Sequence, residues 1–121
     1  RDKFHGEGIE SHPDGKRYEG QFSEGKYEGH GTLTLANGTK YVGDFKNGFS
    51  NGKGILTFPN GDRYEGDFKN NKYHGRGVLS LTDGRQYIGI LENGLPHGQG
   101  TMTFPDGRKF TGQFKNGKFV G

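Results

Sequence analysis

Apolar and polar side chains alternate along short segments of this chain. In residues 64–68, YEGDF, the two rings and the glycine take every second position, with acidic residues between them. Because successive side chains of a strand point to opposite faces, this alternation predicts a β-strand with one aromatic and one charged face. Residues 54–58, GILTF, form a second type of segment with glycine, leucine and phenylalanine on one face.

The two strand-like segments recur with a period of 23 residues. Full copies span residues 18–40, 41–63, 64–86 and 87–109, a partial copy fills 110–121, and residues 1–17 are the end of an earlier copy. The copies follow one another without any insertion, so residues 1–121 are predicted to form one repeat array.

Short turns separate the segments. Asn-Gly or a close equivalent, as at Asn47-Gly48, follows the first segment, and Pro-Asp-Gly or an equivalent joins one copy to the next. Because every connection is this short, successive strands must be antiparallel neighbours. The predicted fold is all-β: a single-layer, twisted antiparallel meander of stacked hairpins, with about 10 strands and a length of roughly 50 Å.

The 25 glycines all fall on five positions of the repeat, numbered 2, 7, 11, 13 and 20 from an opening aromatic residue at position 0. Positions 2 and 13 share a face with the rings, which predicts that these glycines leave space for rings of neighbouring strands. The alternative is that they mark bulges. Asn71 is the one departure from the pattern, since it stands where other copies have a turn glycine.

Composition limits the class of protein. Apolar residues without glycine make up 26% of the chain, which is too few for a thick two-layer core. No run approaches the ~18 apolar residues of a transmembrane helix, and no apolar signal region opens the sequence. The absence of cysteine fits a reducing compartment. A net charge of +3 is far from the dense basic face of a nucleic-acid binder, so no such partner is expected.

Residues 64–77 read YEGDFKNNKYHGRG, and Asp83-Gly84 follow. This segment resembles the MORN repeat (membrane occupation and recognition nexus), and the resemblance extends over the whole chain. Departures such as Glu28, Asn51 and Leu91 are single substitutions. The resemblance implies stacked hairpins in an open sheet, a scaffolding role, protein partners or homodimerisation, and a cytoplasmic location near a membrane or the cytoskeleton. MORN arrays also accompany catalytic domains, so a regulatory region of a larger enzyme is an alternative.

No arrangement of residues predicts catalysis. His5, His74 and His97 share one repeat position, and equivalent positions in adjacent copies lie about 9–10 Å apart, two strands away. Zinc–nitrogen bonds are ~2.0–2.1 Å long, so these histidines cannot share one ion. Glycine pairs such as Gly52 and Gly54 lack the helix that follows a phosphate-binding loop. We therefore expect no metal, no cofactor, no small-molecule substrate and no enzymatic activity.

Protein binding is the predicted role, and two sets of residues are candidates. The first is the aromatic line that faces a groove, most of which will form core: Tyr18, Tyr41, Tyr64 and Tyr87. The second is an apolar group on the otherwise charged face: Val78, Ile88 and Ile90. Apolar side chains on a charged face indicate a contact surface for a partner or a second copy. Ordinary β-propensity at an exposed site is the alternative explanation.

Anionic lipid is the other candidate partner. Four basic residues follow the last acidic residue of the chain: Arg108, Lys109, Lys115 and Lys118. Such a group is at the lower limit of the clusters that bind anionic lipid, and a solvated edge is the alternative. The chain also begins and ends within a repeat, which predicts open strand edges and a longer array.

Overall fold

The computed structural model describes residues 5–121, which form one sheet of 11 antiparallel strands. Each strand pairs with its neighbours in the chain, in the order β1 to β11, so the predicted meander is confirmed. Residues 1–4 of the first partial copy lie outside the described residues. The strands are β1 Gly6–Ser11, β2 Arg17–Ser23, β3 Lys26–Thr34, β4 Lys40–Lys46, β5 Phe49–Thr57, β6 Arg63–Lys69, β7 Lys72–Ser80, β8 Gln86–Glu92, β9 Leu95–Thr103, β10 Lys109–Lys115 and β11 Lys118–Phe119.

The hairpin turns have the backbone conformation that their residues predict. Asn47 and Gly48 both have positive φ, 53° and 88°, and the equivalent pairs in the other copies do the same. Asn71 takes the glycine place with φ 72°. In the turns between copies, the Oδ1 atom of an Asp or Asn accepts the N–H two residues further on at 2.9–3.0 Å, which fixes each turn locally. No helix that could cross a membrane occurs in the described part of the chain.

The core is a line of rings on one face of the sheet, called the inner face below. Its buried hydrophobic side chains come from positions 0 and 4 of the repeat: Tyr18, Phe22, Tyr41, Phe45, Tyr64, Phe68, Tyr87, Leu91 and Phe114. Rings of successive copies meet edge to face, as between Tyr41 and Phe68, whose centroids are 4.8 Å apart. One layer of strands therefore buries a core without a second layer to cover it.

The strand glycines make this packing possible. The ring and hydroxyl of Tyr64 lie directly over Gly77 on the next strand, where a Cβ atom would overlap them. The hydroxyl of Tyr64 donates a hydrogen bond to the carbonyl of Asp67 at 2.9 Å, and the other position-0 tyrosines make the same bond. The predicted space for rings is thus confirmed. Bulges occur as well, because the strand register shifts between Gly66 and Phe68 and at equivalent places.

Candidate functional site

The tyrosines of the aromatic line are core residues. Tyr18, Tyr41, Tyr64 and Tyr87 are between 0% and 4% exposed, and each hydroxyl is held by a backbone carbonyl. Burial raises the pKa of Tyr18 to about 12 and moves the pKa values of the other three in the same direction. A partner cannot reach Tyr18, Tyr64 or Tyr87 in the folded sheet, and Tyr41 exposes only a small part of its ring, beside an open cavity. The structure therefore assigns all four tyrosines to the core rather than to a broad contact surface.

The apolar group on the opposite, outer face is brought together as the strand pattern suggests. Val78 and Ile88 are directly opposite each other on β7 and β8, and Ile88 is 48% exposed. Ile90 is two residues further along β8, opposite Arg76. We call Val78, Ile88 and Ile90 the outer patch.

The outer face carries a second apolar pair. Val42 on β4 is directly opposite Ile55 on β5. Ile55 is in turn opposite Glu65, and Glu65 is opposite Val78, so the two apolar pairs form one row across five strands, β4 to β8, with a carboxylate between them. The signal was present in the sequence, because Val42 takes the same repeat position as Ile88.

The four basic residues proposed for lipid binding do not form a cluster. The Nε atom of Arg108 is 2.8 Å from a carboxylate oxygen of Asp106. Lys109 begins β10, whereas Lys115 ends it, and six residues of extended strand separate them by about 20 Å. Lys115 and Lys118 are opposite each other beside a hairpin turn, at the other end of β10 from Arg108 and Lys109. The grouping fails because residues close in sequence are placed at opposite ends of a strand.

Lysines do gather elsewhere, at the hairpin-turn end of the outer face. There Lys69 is opposite Lys72 and Lys46 is opposite Phe49. We call this line the lysine rim; its basic members are Lys26, Lys46, Lys69, Lys72, Lys115 and Lys118. All six are exposed, and none forms an ion pair with any residue from 5 to 121. Two exposed apolar side chains, Phe49 and Leu95, belong to the same line, with Glu92 as its acidic member.

Histidine and carboxylate side chains form hydrogen bonds to the turns or lie on the surface. His97 Nδ1 accepts the N–H of Asn116 at 3.3 Å, and Glu28 accepts the N–H of Asn47 in the same way three copies earlier. The hydrogen bond from Lys53 lowers the pKa of the Asp67 carboxyl on the outer face. Within residues 5–121, no three His, Asp or Glu side chains come close enough to hold a metal ion.

One interruption of the inner face was missed entirely. At repeat position 9, Tyr27 stacks on Tyr18 and Tyr73 stacks on Tyr64, with ring centroids 3.9 and 4.3 Å apart. Ser50 occupies this position in the copy between them, and the ring of Tyr41 has no stacked neighbour among residues 5–121. An open cavity of about 380 Å³ results, which we call the Ser50 slot.

The walls of the Ser50 slot are apolar and its polar groups are few. Leu33, Leu56 and Phe68 line it beside Tyr27 and Tyr41. Its polar lining comes from four side chains: Lys16, Thr39, Ser50 and Asn71. Ligand pockets in proteins typically have volumes of roughly 300–1,000 Å³ and this kind of lining. The slot therefore has the character of a small binding site.

Asn71 forms the polar end of the slot. Its Oδ1 atom accepts hydrogen bonds from the N–H and the Oγ–H of Ser50, at 2.8 and 3.1 Å, and its own N–H donates to the Ser50 carbonyl at 3.0 Å. Ser50 is thereby fixed in a place that is 6% exposed. The exceptional turn residue and the exceptional serine are thus one structural unit.

The comparison with protein families decides what kind of array this is. The MORN repeat family matches residues 1–17, 18–40, 41–63, 64–84, 87–107 and 110–121. The chain is a MORN-repeat protein. A comparison with curated proteins gives no match. The family and the open sheet of hairpins agree with each other, and neither names a partner.

Proposed function

We propose that this MORN array is a non-catalytic scaffold that binds proteins and self-associates through the outer patch. The observation that supports the proposal is the direct pairing of Val78 with Ile88. Two other copies carry glutamate at the position of Ile88, Glu19 and Glu65. Water exclusion from an isoleucine side chain contributes about 1.5–3 kcal/mol when burial is complete.

The geometry suits a symmetric contact. In a twofold interface each residue contributes twice, so a small apolar patch on one copy meets the same patch on the other. A stable interface covers about 800 Å² on each partner, which is more than three side chains provide. We infer that the outer patch is the centre of the interface and that the polar positions around it form the rim.

Replacing Ile88 and Ile90 tests this proposal. We expect light scattering to give a molecular mass above that of one chain for the original protein, and the mass of one chain for the I88K/I90K variant. A dimer of this variant would confine four ammonium groups at the twofold contact, and their repulsion would separate the two copies. The matched control is T111K/Q113K, which adds the same charge at the equivalent positions of the last copy. An unchanged mass in I88K/I90K, with unchanged capture of partners, would remove the outer patch from the account.

A second candidate function, binding to an anionic membrane surface, is supported by the lysine rim. Six exposed lysines without ion pairs among the described residues lie along one end of the sheet, with Phe49 and Leu95 between them. Lysines near an anionic bilayer contribute about 1 kcal/mol each, and apolar side chains can enter the headgroup layer.

Vesicle sedimentation distinguishes this second function. With phosphatidylserine vesicles we expect the K69A/K72A variant to bind roughly 30-fold more weakly than the original chain, because two lysine contributions are lost. The K40A/K109A variant removes two lysines from the opposite end of the outer face and should bind within a few-fold of the original. Equal losses in both variants would indicate attraction by net charge alone, without a rim.

A further inference from the structure

We propose that the Ser50 slot receives an aromatic side chain, phenylalanine or tyrosine, from a partner protein. The inference rests on the proposed function in one respect, which is that the partner is a protein. Other copies of the repeat show which kind of side chain fits this space. Tyr27 and Tyr73 fill the equivalent spaces on either side, and both rings lie nearly parallel to the buried tyrosine beneath them, at 7° and 17°.

The walls of the slot repeat the surroundings of Tyr73. Tyr73 lies against Tyr64 and Phe68, and the residues one repeat earlier, Tyr41 and Phe45, line the slot. A planar ring placed over Tyr41 would therefore gain stacking on one side and edge contacts on the other. Such pairs of rings are stabilised beyond the area that they bury.

The polar groups do not demand a hydroxyl on the incoming ring. The hydroxyl of Tyr27 donates to Glu10 at 2.6 Å, but the residue one repeat after Glu10 is Leu33. A phenylalanine ring in the same orientation would meet only apolar atoms there. The Oδ1 atom of Asn71 is engaged by Ser50, whereas its Nδ2 group has no partner among the described residues and can donate to a backbone carbonyl of the incoming segment.

The slot is preformed. Three hydrogen bonds fix Ser50 against Asn71, and the surrounding rings are fixed by the core. Binding therefore requires no rearrangement of the sheet, which lowers the cost of association.

The test is an NMR titration of the whole chain with N-acetyl-phenylalaninamide, observed at the methyl groups of Leu33 and Leu56. We expect saturable ring-current shifts with the original protein and at least tenfold weaker binding to the S50Y variant, in which the chain's own ring fills the slot. Because Tyr27 and Tyr73 already occupy this position, S50Y should fold and melt at a higher temperature. The S50A variant keeps the slot open and should bind like the original.

Two further probes make the outcome specific. N-acetyl-cyclohexylalaninamide has the same size without a planar ring, and binding as tight as that of the phenylalanine probe would overturn the proposal of an aromatic occupant. A seven-residue peptide with a central phenylalanine should bind more tightly than the single amino-acid amide; equal or weaker binding would overturn a protein segment as its source. Equal binding of the phenylalanine probe to S50Y would overturn the slot itself.

The proposals for the Ser50 slot and for the outer patch can be disproved independently of each other. Ser50 is on the inner face, whereas Ile88 is on the outer face of a different hairpin. If I88K/I90K leaves the oligomeric state unchanged while S50Y abolishes peptide binding, the slot stands and self-association through the patch falls. If S50Y binds the peptide as the original does while I88K/I90K becomes monomeric, the reverse holds.

Discussion

Replacing Gly77 by alanine should destabilise the protein by about 3 kcal/mol, the upper end of the usual range for overpacked cores. An added Cβ would overlap the ring and the hydroxyl of Tyr64, and the backbone of Gly66 lies directly opposite and prevents β7 from moving away. Tyr64 would have to leave its place, and with it the hydrogen bond to Asp67 and the stacking on Tyr73. Urea unfolding measures the loss.

The control for this prediction is the G107A variant. Gly107 has φ +94° and nothing within 4 Å of an added Cβ, so alanine there costs only the left-handed backbone conformation, about 1–2 kcal/mol. If G77A were no less stable than G107A, the ring would not depend on the glycine, and the explanation of the strand glycines would be wrong.

Alkaline pH should unfold the sheet. Burial raises the pKa of Tyr18 from 10.0 to about 12 and raises the pKa values of five further tyrosines, Tyr27, Tyr41, Tyr64, Tyr73 and Tyr87. An unfolded tyrosine releases its proton near pH 10, whereas the folded side chain retains it. Unfolding therefore releases protons above pH 10, so the stabilisation is complete below that pH and is lost as the pH rises toward 12 and beyond.

The measurement is a pH titration that records tyrosinate absorbance together with circular dichroism. We expect both signals to change in one cooperative transition, because the buried hydroxyls ionise when the sheet opens. The Y41F/Y64F variant lacks two of the ionisable hydroxyls. Its free energy of unfolding should therefore decrease less between neutral and alkaline pH than that of the original protein. Tyrosinate formation near pH 10 with an intact sheet would contradict the burial of these side chains.

The fold could be predicted because its strands and turns are determined by residues that are close together in the sequence. Asn47-Gly48 and equivalent pairs determine the hairpins through positive φ, and the two-residue alternation determines which face holds the rings. Neither rule gives the depth of burial. The inaccessibility of Tyr18 follows from ring contacts in three dimensions, such as the stacking of Tyr27 and the edge-to-face contact with Phe45 of the next copy.

The candidate surfaces depend on pairing between strands and were harder to predict. Arg108 and Lys118 are ten residues apart in sequence, yet they lie at opposite ends of a hairpin. The lysine rim shows the opposite case, because Lys46 and Lys69 are distant in sequence and lie on the same edge. A comparison of repeat positions 5 and 8 across the copies would have found it.

The Ser50 slot is an example of a cavity that the sequence alone does not predict. The substitution of serine for tyrosine is visible in the repeat alignment, but a substitution of this kind can be closed by neighbouring side chains. Here the space stays open because Tyr41, Leu33 and Leu56 are held by strand pairing rather than by the missing ring. The role of Asn71 follows only from the structure, in which its side chain accepts hydrogen bonds from Ser50.

The scaffold proposal is tested most directly by methyl NMR spectra of the chain at increasing protein concentration. With four isoleucines and three valines, the relevant signals are few. The account predicts that the methyl groups of Val78, Ile88 and Ile90 shift with concentration, while those of Ile9, exposed on the same face at the far end of the array, do not. Concentration-independent signals from all three patch residues, or equal shifts at Ile9, would contradict it.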